Sequence, residues 1–318
     1  MSGPSTGAAE DPLAARRREG AFLLIDKPRG PSSHQVTAWA RDLIGADRAG
    51  HAGTLDPNVS GLLWIGVGRA LKLLPLVLEF PKRYIGVLEF HAAPPAAELA
   101  RVLAEFTGPV YQTPPVRSAV RRERRVRTIH RLDLVEREGT LAVIDVVADS
   151  GTYVRTLAVD VGDALGVGAH LAELRRTGTG PFREGQAIPL GRLADARAAY
   201  DAGTPGPLLA LLHPPEEVWR EFPVVRIRGA AASAVAHGAG LARGGIASVS
   251  RPFSAGAHVV LVPEAGGEAI AIGRANVPSG EMRGSRPGWV VTTERVLADP
   301  ARYPPSWGRR GPAPVDLI

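Results

Sequence analysis

Hydrophobic positions along the chain change their period several times, and each change marks an element. Phe22 to Ile25 is an unbroken apolar run of strand length, after which Ser32 or Ser33 offers an N-cap for a helix reaching about Leu43. A second run near Leu62 to Val67 predicts a buried strand, followed by a short helix from Arg69 toward Leu78. Lys82 to Phe90 alternates as a half-buried strand does. Pro94 to Phe106 puts Leu99, Val102, Leu103 and Phe106 on one helical face. Val126 to Val135 and Leu141 to Val147 read as two strands joined through Glu136 to Thr140, a hairpin signal. Tyr153 to Leu165, and then Leu171 to Arg176, read as helical. Strands and helices interleave without a repeated βαβ pattern, which predicts an α+β fold on a mixed or largely antiparallel sheet.

The pattern also divides the chain. Residues 203–215 are rich in Gly, Pro and Leu, and beyond Glu221 come short valine- and alanine-rich segments punctuated by glycine, as in a small β-barrel. This predicts one domain over 20–221 and a second over 222–298. A polar, then basic, N-terminal tail over 1–19 and a C-terminal tail over 299–318 complete the layout. A length of 318 residues suits two domains, and 45% hydrophobic residues suffice for their cores. No apolar run approaches the length of about 18 residues that would span a membrane. The first twenty residues lack the apolar centre of a secretory signal. Cysteine is absent, which excludes disulfides and cysteine-based sites, and a reducing cytoplasm is the expected location.

Charge narrows the partner. The formal net charge is +6 and the sequence pI about 10.1, a balance that favours a polyanion. Almost all the cations are arginine; Lys27, Lys72 and Lys82 are the exceptions. Six arginines fall within residues 117–127, among them Arg117, Arg121, Arg122, Arg124 and Arg125, with a single acid between them. That density suits phosphate contact better than an ordinary solvated face, and Arg175 and Arg176 are expected to extend the same positive track. Gln112-Thr113-Pro114-Pro115 gives the segment an extended entry.

The candidate chemistry centres on Gly50 to Gly61, Gly-His-Ala-Gly-Thr-Leu-Asp-Pro-Asn-Val-Ser-Gly. Pro57 biases Asp56 toward extended geometry, the glycines permit tight approach, and a rigid strand follows. This presents an acid on a shaped loop, although on local pattern alone an ordinary Asp-Pro turn reads equally well. His34 has no second ligand at helical spacing, so a metal site there fails.

Together with Leu24-Ile25-Asp26-Lys27-Pro28-Arg29-Gly30-Pro31-Ser32-Ser33-His34, the Asp56 loop resembles the TruB-type pseudouridine synthases. From about Gly20 to Trp307 the chain looks most like their archaeal and eukaryotic dyskerin branch, the catalytic subunit of H/ACA ribonucleoproteins. The resemblance implies a pseudouridine synthase core. The glycine-alanine segments around Val235 to Leu241 and Ala271 to Ala275 resemble a PUA RNA-binding domain. The implied reaction breaks the N1–C1′ bond of uridine, rotates the base and joins C5 to C1′; it needs no redox change, so no cofactor and no metal is expected.

Residue by residue, the resemblance makes Asp56 the catalytic carboxylate and Arg155, in Gly151-Thr152-Tyr153-Val154-Arg155, the cation that keeps it ionised. Tyr84 matches the tyrosine that stacks on the extruded base and accepts the C5 proton. Leu174 matches an apolar wall of the pocket, and His51 a histidine that accommodates the target nucleotide. Lys27 and Pro28 are implied to brace the catalytic loop. Whether Asp56 attacks C1′, adds to the base or removes a sugar proton stays open.

The chain runs from Tyr84 through Phe90 straight to Pro94-Pro95, without the insertion of the stand-alone bacterial synthases. For the dyskerin branch the implied partners are an H/ACA guide RNA, an rRNA substrate and small accessory proteins. A guide-independent synthase acting on the tRNA T-loop is the nearest rival. A non-catalytic RNA-binding scaffold is a second one, which would have no use for Asp56, Tyr84 and Arg155 together.

Overall fold

The computed structural model describes residues 11–113, 123–284 and 288–304; Arg117, Arg121 and Arg122 lie outside them. The chain divides into a unit ending at His213 and a unit beginning at Pro214.

The first unit opens with a difference from expectation. Pro12–Glu19, expected as tail, is a helix (α1), with Asp11 accepting from the Leu13 amide at its start and Leu13 in the core. One buried leucine among arginines leaves no periodic signature, so the pattern could not disclose it. Strand β1 (Ala21–Lys27) leads to α2 (Ser33–Ile44), which Ser32 caps by accepting from the Gln35 amide at 3.1 Å. Then come β2 (Ala49–Ala52), β3 (Ser60–Val67), α3 (Leu74–Glu79) and β4 (Lys82–Phe90). The order continues with α4 (Ala96–Glu105), β5 (Gly108–Gln112), β6 (Arg125–Glu138) and β7 (Leu141–Ala148). The hairpin between β6 and β7 is tighter than predicted, because both strands run up to a turn at Gly139 and Thr140. The unit closes with α5 (Val154–Ala164), β8 (Ala169–Thr179), β9 (Phe182–Arg183), α6 (Leu190–Asp201) and α7 (Gly206–Leu209).

Among the described residues these strands form one mixed sheet in the order β1-β3-β8-β4-β7-β6-β5, with β2 added to β3 and β9 to β8. Every pairing is antiparallel except β3 with β8, which touch in parallel only at Ser60–Arg175 and Gly61–Arg176. The two continuous apolar runs, β1 and β3, pair with each other, as strands covered on both faces do. Among the described residues, one apolar cluster on the sheet is built on α2 and α6 and another on α4 and α5. Tyr84 and Leu174 touch both clusters, and the site lies at that junction.

The predicted helix over Leu171 to Arg176 is the clearest correction: these residues are the centre of strand β8. The β4–β8 register shifts between Val87 and Leu88, where Ala172 is the extra residue. That bulge puts Leu171 and Leu174, three apart, against the same cluster. A bulged strand thus imitates helical spacing.

The second unit holds α8 (Glu216–Trp219), β10 (Val224–Ile227), α9 (Gly229–Ala236), β11 (Leu241–Ala242), β12 (Ile246–Val249), β13 (His258–Pro263), β14 (Ala271–Ala275) and β15 (Trp289–Val296). Its strands, in the order β11-β15-β14-β13-β10-β12, form a barrel-like sheet around Val225, Ile227, Val259, Leu261 and Val291, as the glycine-punctuated pattern predicts.

Candidate active site

Two buried cations and one serine shape the loop that carries Asp56. Lys27, at the end of β1, is fully buried, and its ammonium donates to the carbonyls of Pro28 at 2.8 Å, Pro31 at 2.9 Å and Pro57 at 3.3 Å. Burial lowers the Lys27 pKa, and the charge of Asp56 opposes that shift. Ser33 reads both polar groups of Leu55, accepting from its amide and donating to its carbonyl, each at 2.8 Å. From the other side, the buried Arg176 donates to the carbonyls of Gly53 and Leu62, both at 2.7 Å. Gly53 has φ +69°, and a Cβ there would sit 3.0 Å from the Arg176 guanidinium. At Gly61 a Cβ would lie 2.2 Å from the Arg176 carbonyl oxygen, so the close approach of β3 to β8 requires glycine.

On this frame the Asp56 carboxylate meets the Arg155 guanidinium at 2.7 Å, with both side chains about half exposed. A cavity of about 330 Å3 opens beside them, lined by Asp56, Arg155, Tyr84, Leu174, Lys82 and Arg176 among others. Tyr84 stands opposite Arg176 in the β4–β8 ladder. Burial works against the Arg176 charge, while the neighbouring Tyr84 phenol supports it. The arrangement offers an acid paired with a guanidinium, an aromatic platform and an apolar wall around a space open to a planar ring.

His51 is not among the residues lining this cavity. Thr37 commits its only proton to the Ser33 carbonyl at 2.7 Å, so His51 Nδ1 donates to Thr37 at 3.1 Å. Nε2 is left to accept from Thr54 at 3.1 Å, two residues before Asp56. Burial, followed by the charges of His34 and Arg176, lowers the His51 pKa and favours this neutral form.

The expected positive track is corrected at two of its members. Arg176 is 2% exposed and braces the loop from within; Arg175 pairs with Asp26 at 2.9 Å and Glu184 at 2.6 Å. The protein's own acids and carbonyls occupy the guanidinium groups that were assigned to phosphate. Arg124 and Arg125 are exposed, Arg124 lying over the Tyr111 ring at 4.7 Å and Arg125 facing Glu123 at 3.7 Å.

Ser33, Lys82 and Gln112 hold the site together although no motif marks them as functional. Lys82 is buried and donates to the carbonyls of Leu78 and Phe80, both at 2.7 Å, and to the Ser150 hydroxyl at 3.1 Å. Burial and then the charge of Arg176 lower its pKa to about 7, against the pull of Glu79. A signal was present: in a chain that uses arginine almost everywhere, two of the three lysines are buried at this site. A compact ammonium gathers converging carbonyls where a planar guanidinium would not fit.

Comparison with known proteins decides the family. Residues 41–100 match the TruB family pseudouridylate synthase N-terminal domain, residues 155–219 the tRNA pseudouridylate synthase B C-terminal domain, and residues 223–297 the PUA domain. A "Probable tRNA pseudouridine synthase B" of Pyrobaculum calidifontis is 42% identical over 97% of this chain and 91% of its own length. The chain belongs to the TruB family of pseudouridine synthases. A Methanopyrus kandleri member of the same description is also 42% identical, over 91% of this chain and 86% of its own.

Among solved structures, a Cbf5-Nop10-Gar1 complex contains a chain 35% identical to this one, with a TM-score of 0.85 over 96% of this chain and 93% of that one. A chain of an H/ACA RNP bound to a substrate RNA containing 2′-deoxyuridine superposes with a TM-score of 0.81 at 32% identity, over 95% of each chain. Membership makes this TruB-family protein an isomerase acting on RNA, with a PUA domain as its C-terminal unit. Among the described residues no helix is long and apolar enough to cross a membrane.

Proposed function

We propose that the chain isomerises uridine to pseudouridine at positions selected by an H/ACA guide RNA, in rRNA, as the catalytic subunit of a ribonucleoprotein. The observation that carries this reading is the cavity that joins Asp56, Arg155, Tyr84 and Leu174, four residues drawn from distant parts of the chain. A uridine must leave its stack for C1′ and C5 to be reached, and the cavity offers such a base an aromatic face and an apolar wall. Asp56 acts on the nucleoside as the glycosidic bond breaks, and Arg155, 2.7 Å away, orients its carboxylate. The ring turns within the pocket, C5 bonds to C1′, Tyr84 accepts the C5 proton and passes it to solvent, and N1, freed from C1′, takes up one proton from solvent. Product and substrate have the same composition, so no co-reactant is consumed.

Support for the guide comes from the solved neighbours: a Cbf5-Nop10-Gar1 complex, a Nop10-Cbf5 complex of an archaeal box H/ACA sRNP, and an H/ACA RNP bound to substrate RNA. Small accessory proteins of that kind are the proposed protein partners. The PUA domain, over about residues 222–298, is assigned to the single-stranded end and lower stem of the guide. The second reading, a guide-independent synthase acting on the tRNA T-loop, is favoured by the descriptions of the curated relatives.

Incubation with a tRNA transcript, and with an rRNA fragment in the presence and absence of guide and accessory proteins, separates the two. Guide-dependent product supports the first; product that never depends on guide under any condition overturns it. Asp56→Ala is expected to lower the rate by at least about 10³-fold while RNA affinity stays within about twofold. Loss of binding in parallel with activity would mean the site is misplaced.

A further inference from the structure

Arg155 reaches Asp56 from the second residue of α5, where Val154 packs into the core and the Leu157 amide donates to the Tyr153 carbonyl at 3.0 Å. Tyr153, the residue before the helix, makes no side-chain cap to it. The segment leading there, Ser150-Gly151-Thr152-Tyr153, lines the cavity and carries no regular structure. From outside the helix its last residue is held by Gln112, the final residue of β5, which is 3% exposed. The Gln112 amide donates from Nε2 to the Tyr153 carbonyl at 3.1 Å and accepts through Oε1 from the Tyr153 amide at 2.9 Å. One primary amide thus reads both polar groups of one backbone residue, as a neighbouring strand would. Forty-one positions separate the partners, so this is a tertiary tie and not a local turn. Lys82 holds the other end of the same segment at Ser150.

The geometry points to Gln112 as the positioning residue for Arg155: its two bonds to Tyr153 set where α5 begins and so where the guanidinium meets Asp56. This assignment rests on the reading of Arg155 and Asp56 as catalytic partners. At neutral pH a carboxamide supplies donor and acceptor at fixed separation at this reach. A carboxylate of the same shape accepts from the Tyr153 amide but repels its carbonyl. A protonated carboxyl donates through one oxygen, accepts through the other, and restores both bonds.

The test uses the full-length protein and an RNA carrying 5-tritiated uridine at the position the wild type modifies, with single-turnover tritium release and RNA affinity measured in parallel. Gln112→Glu and Gln112→Ala are each expected to slow release by about 10–100-fold at pH 7.5, the scale of a misplaced catalytic group, with affinity within about twofold. Lowering the pH should recover the rate of Gln112→Glu relative to wild type, and not that of Gln112→Ala. A merely structural role would not produce that difference.

Rates at the wild-type level in both variants overturn the assignment. So does a loss in both that tracks a falling melting temperature or RNA affinity and shows no recovery at low pH. Asp56→Ala and Arg155→Ala run alongside: full activity in either removes the catalytic reading itself, whereas inactivity in both, with Gln112 variants unaffected, removes only the role of Gln112.

Discussion

The Asp56 loop and the arginine-rich entry to β6 use the same kind of residue in opposite ways. Behind Asp56, cations turn inward: Lys27 and Arg176 are buried and face neutral carbonyls. At the start of β6, Arg124 and Arg125 turn outward, with one ring and one loose acid for company. The first set fixes backbone; the second keeps its charge available to a polyanion. Between them stands the Asp56–Arg155 pair, half exposed and reachable by a nucleotide, yet held by elements that are not. Positive charge in this chain therefore follows two rules, and only burial tells them apart.

Breaking the inward set should have the largest effect. Lys27→Met preserves side-chain volume but leaves the carbonyls of Pro28, Pro31 and Pro57 without their donor. Stranded buried acceptors cost about 1–3 kcal/mol in unfolding free energy, and a displaced Asp56 should lower the single-turnover rate by about 10²-fold. Denaturant unfolding and single-turnover kinetics on one preparation measure both. Wild-type values for each would show that the loop needs no brace.

A smaller effect is expected where cations and an acid are balanced, on the sheet beside the site. Burial pushes Asp145 up, but the hydrogen bonds and charges of Arg83 and Arg131 outweigh it and leave its pKa below the ordinary value. The unfolded chain therefore takes up this proton at higher pH than the folded one. The stabilisation is fully present above the ordinary carboxylate range and is lost as the pH falls through the lowered folded value. Arg83 is more than a third exposed, so solvent screening limits the effect. Asp145→Asn should cost about 1–2 kcal/mol at pH 7, with the difference from wild type closing in strong acid. A difference that is independent of pH would assign the effect to packing instead.

The outward set should matter least for chemistry and most for salt. Replacing Arg124 and Arg125, together with Arg121 and Arg122 that precede them in the sequence, by Ala is expected to weaken RNA binding and flatten its dependence on salt, by roughly 0.7–0.9 in log–log slope for each phosphate no longer neutralised. The rate at saturating RNA should change by less than about threefold. An unchanged slope would take these residues out of the interface.

The same contrast explains what could be read from the sequence. The strands over Phe22 to Ile25 and Lys82 to Phe90 and the helix after Ser32 were legible because apolar period and capping are local. Asp56, Tyr84, Arg155 and Leu174 were legible through motifs, and the fold brings those four to one cavity. Strand β8 was not legible, because a bulge gave Leu171 and Leu174 the spacing of a helix. Nor was the division between Arg124 and Arg176, since an arginine that braces from within and an arginine that stays exposed are written identically. Gln112 was visible as part of an extended entry, but its partner Tyr153 lies on an element that only the folded sheet brings near.

The central claim is that the cavity between Asp56 and Tyr84 receives the target uridine. The most direct measurement is the position of that nucleotide in an experimental structure of the protein with its RNA. The account predicts its C1′ beside the Asp56 carboxylate, its ring against Tyr84 and Leu174, and Arg155 still paired with the acid. A target nucleotide seated elsewhere, with this cavity empty, would contradict it.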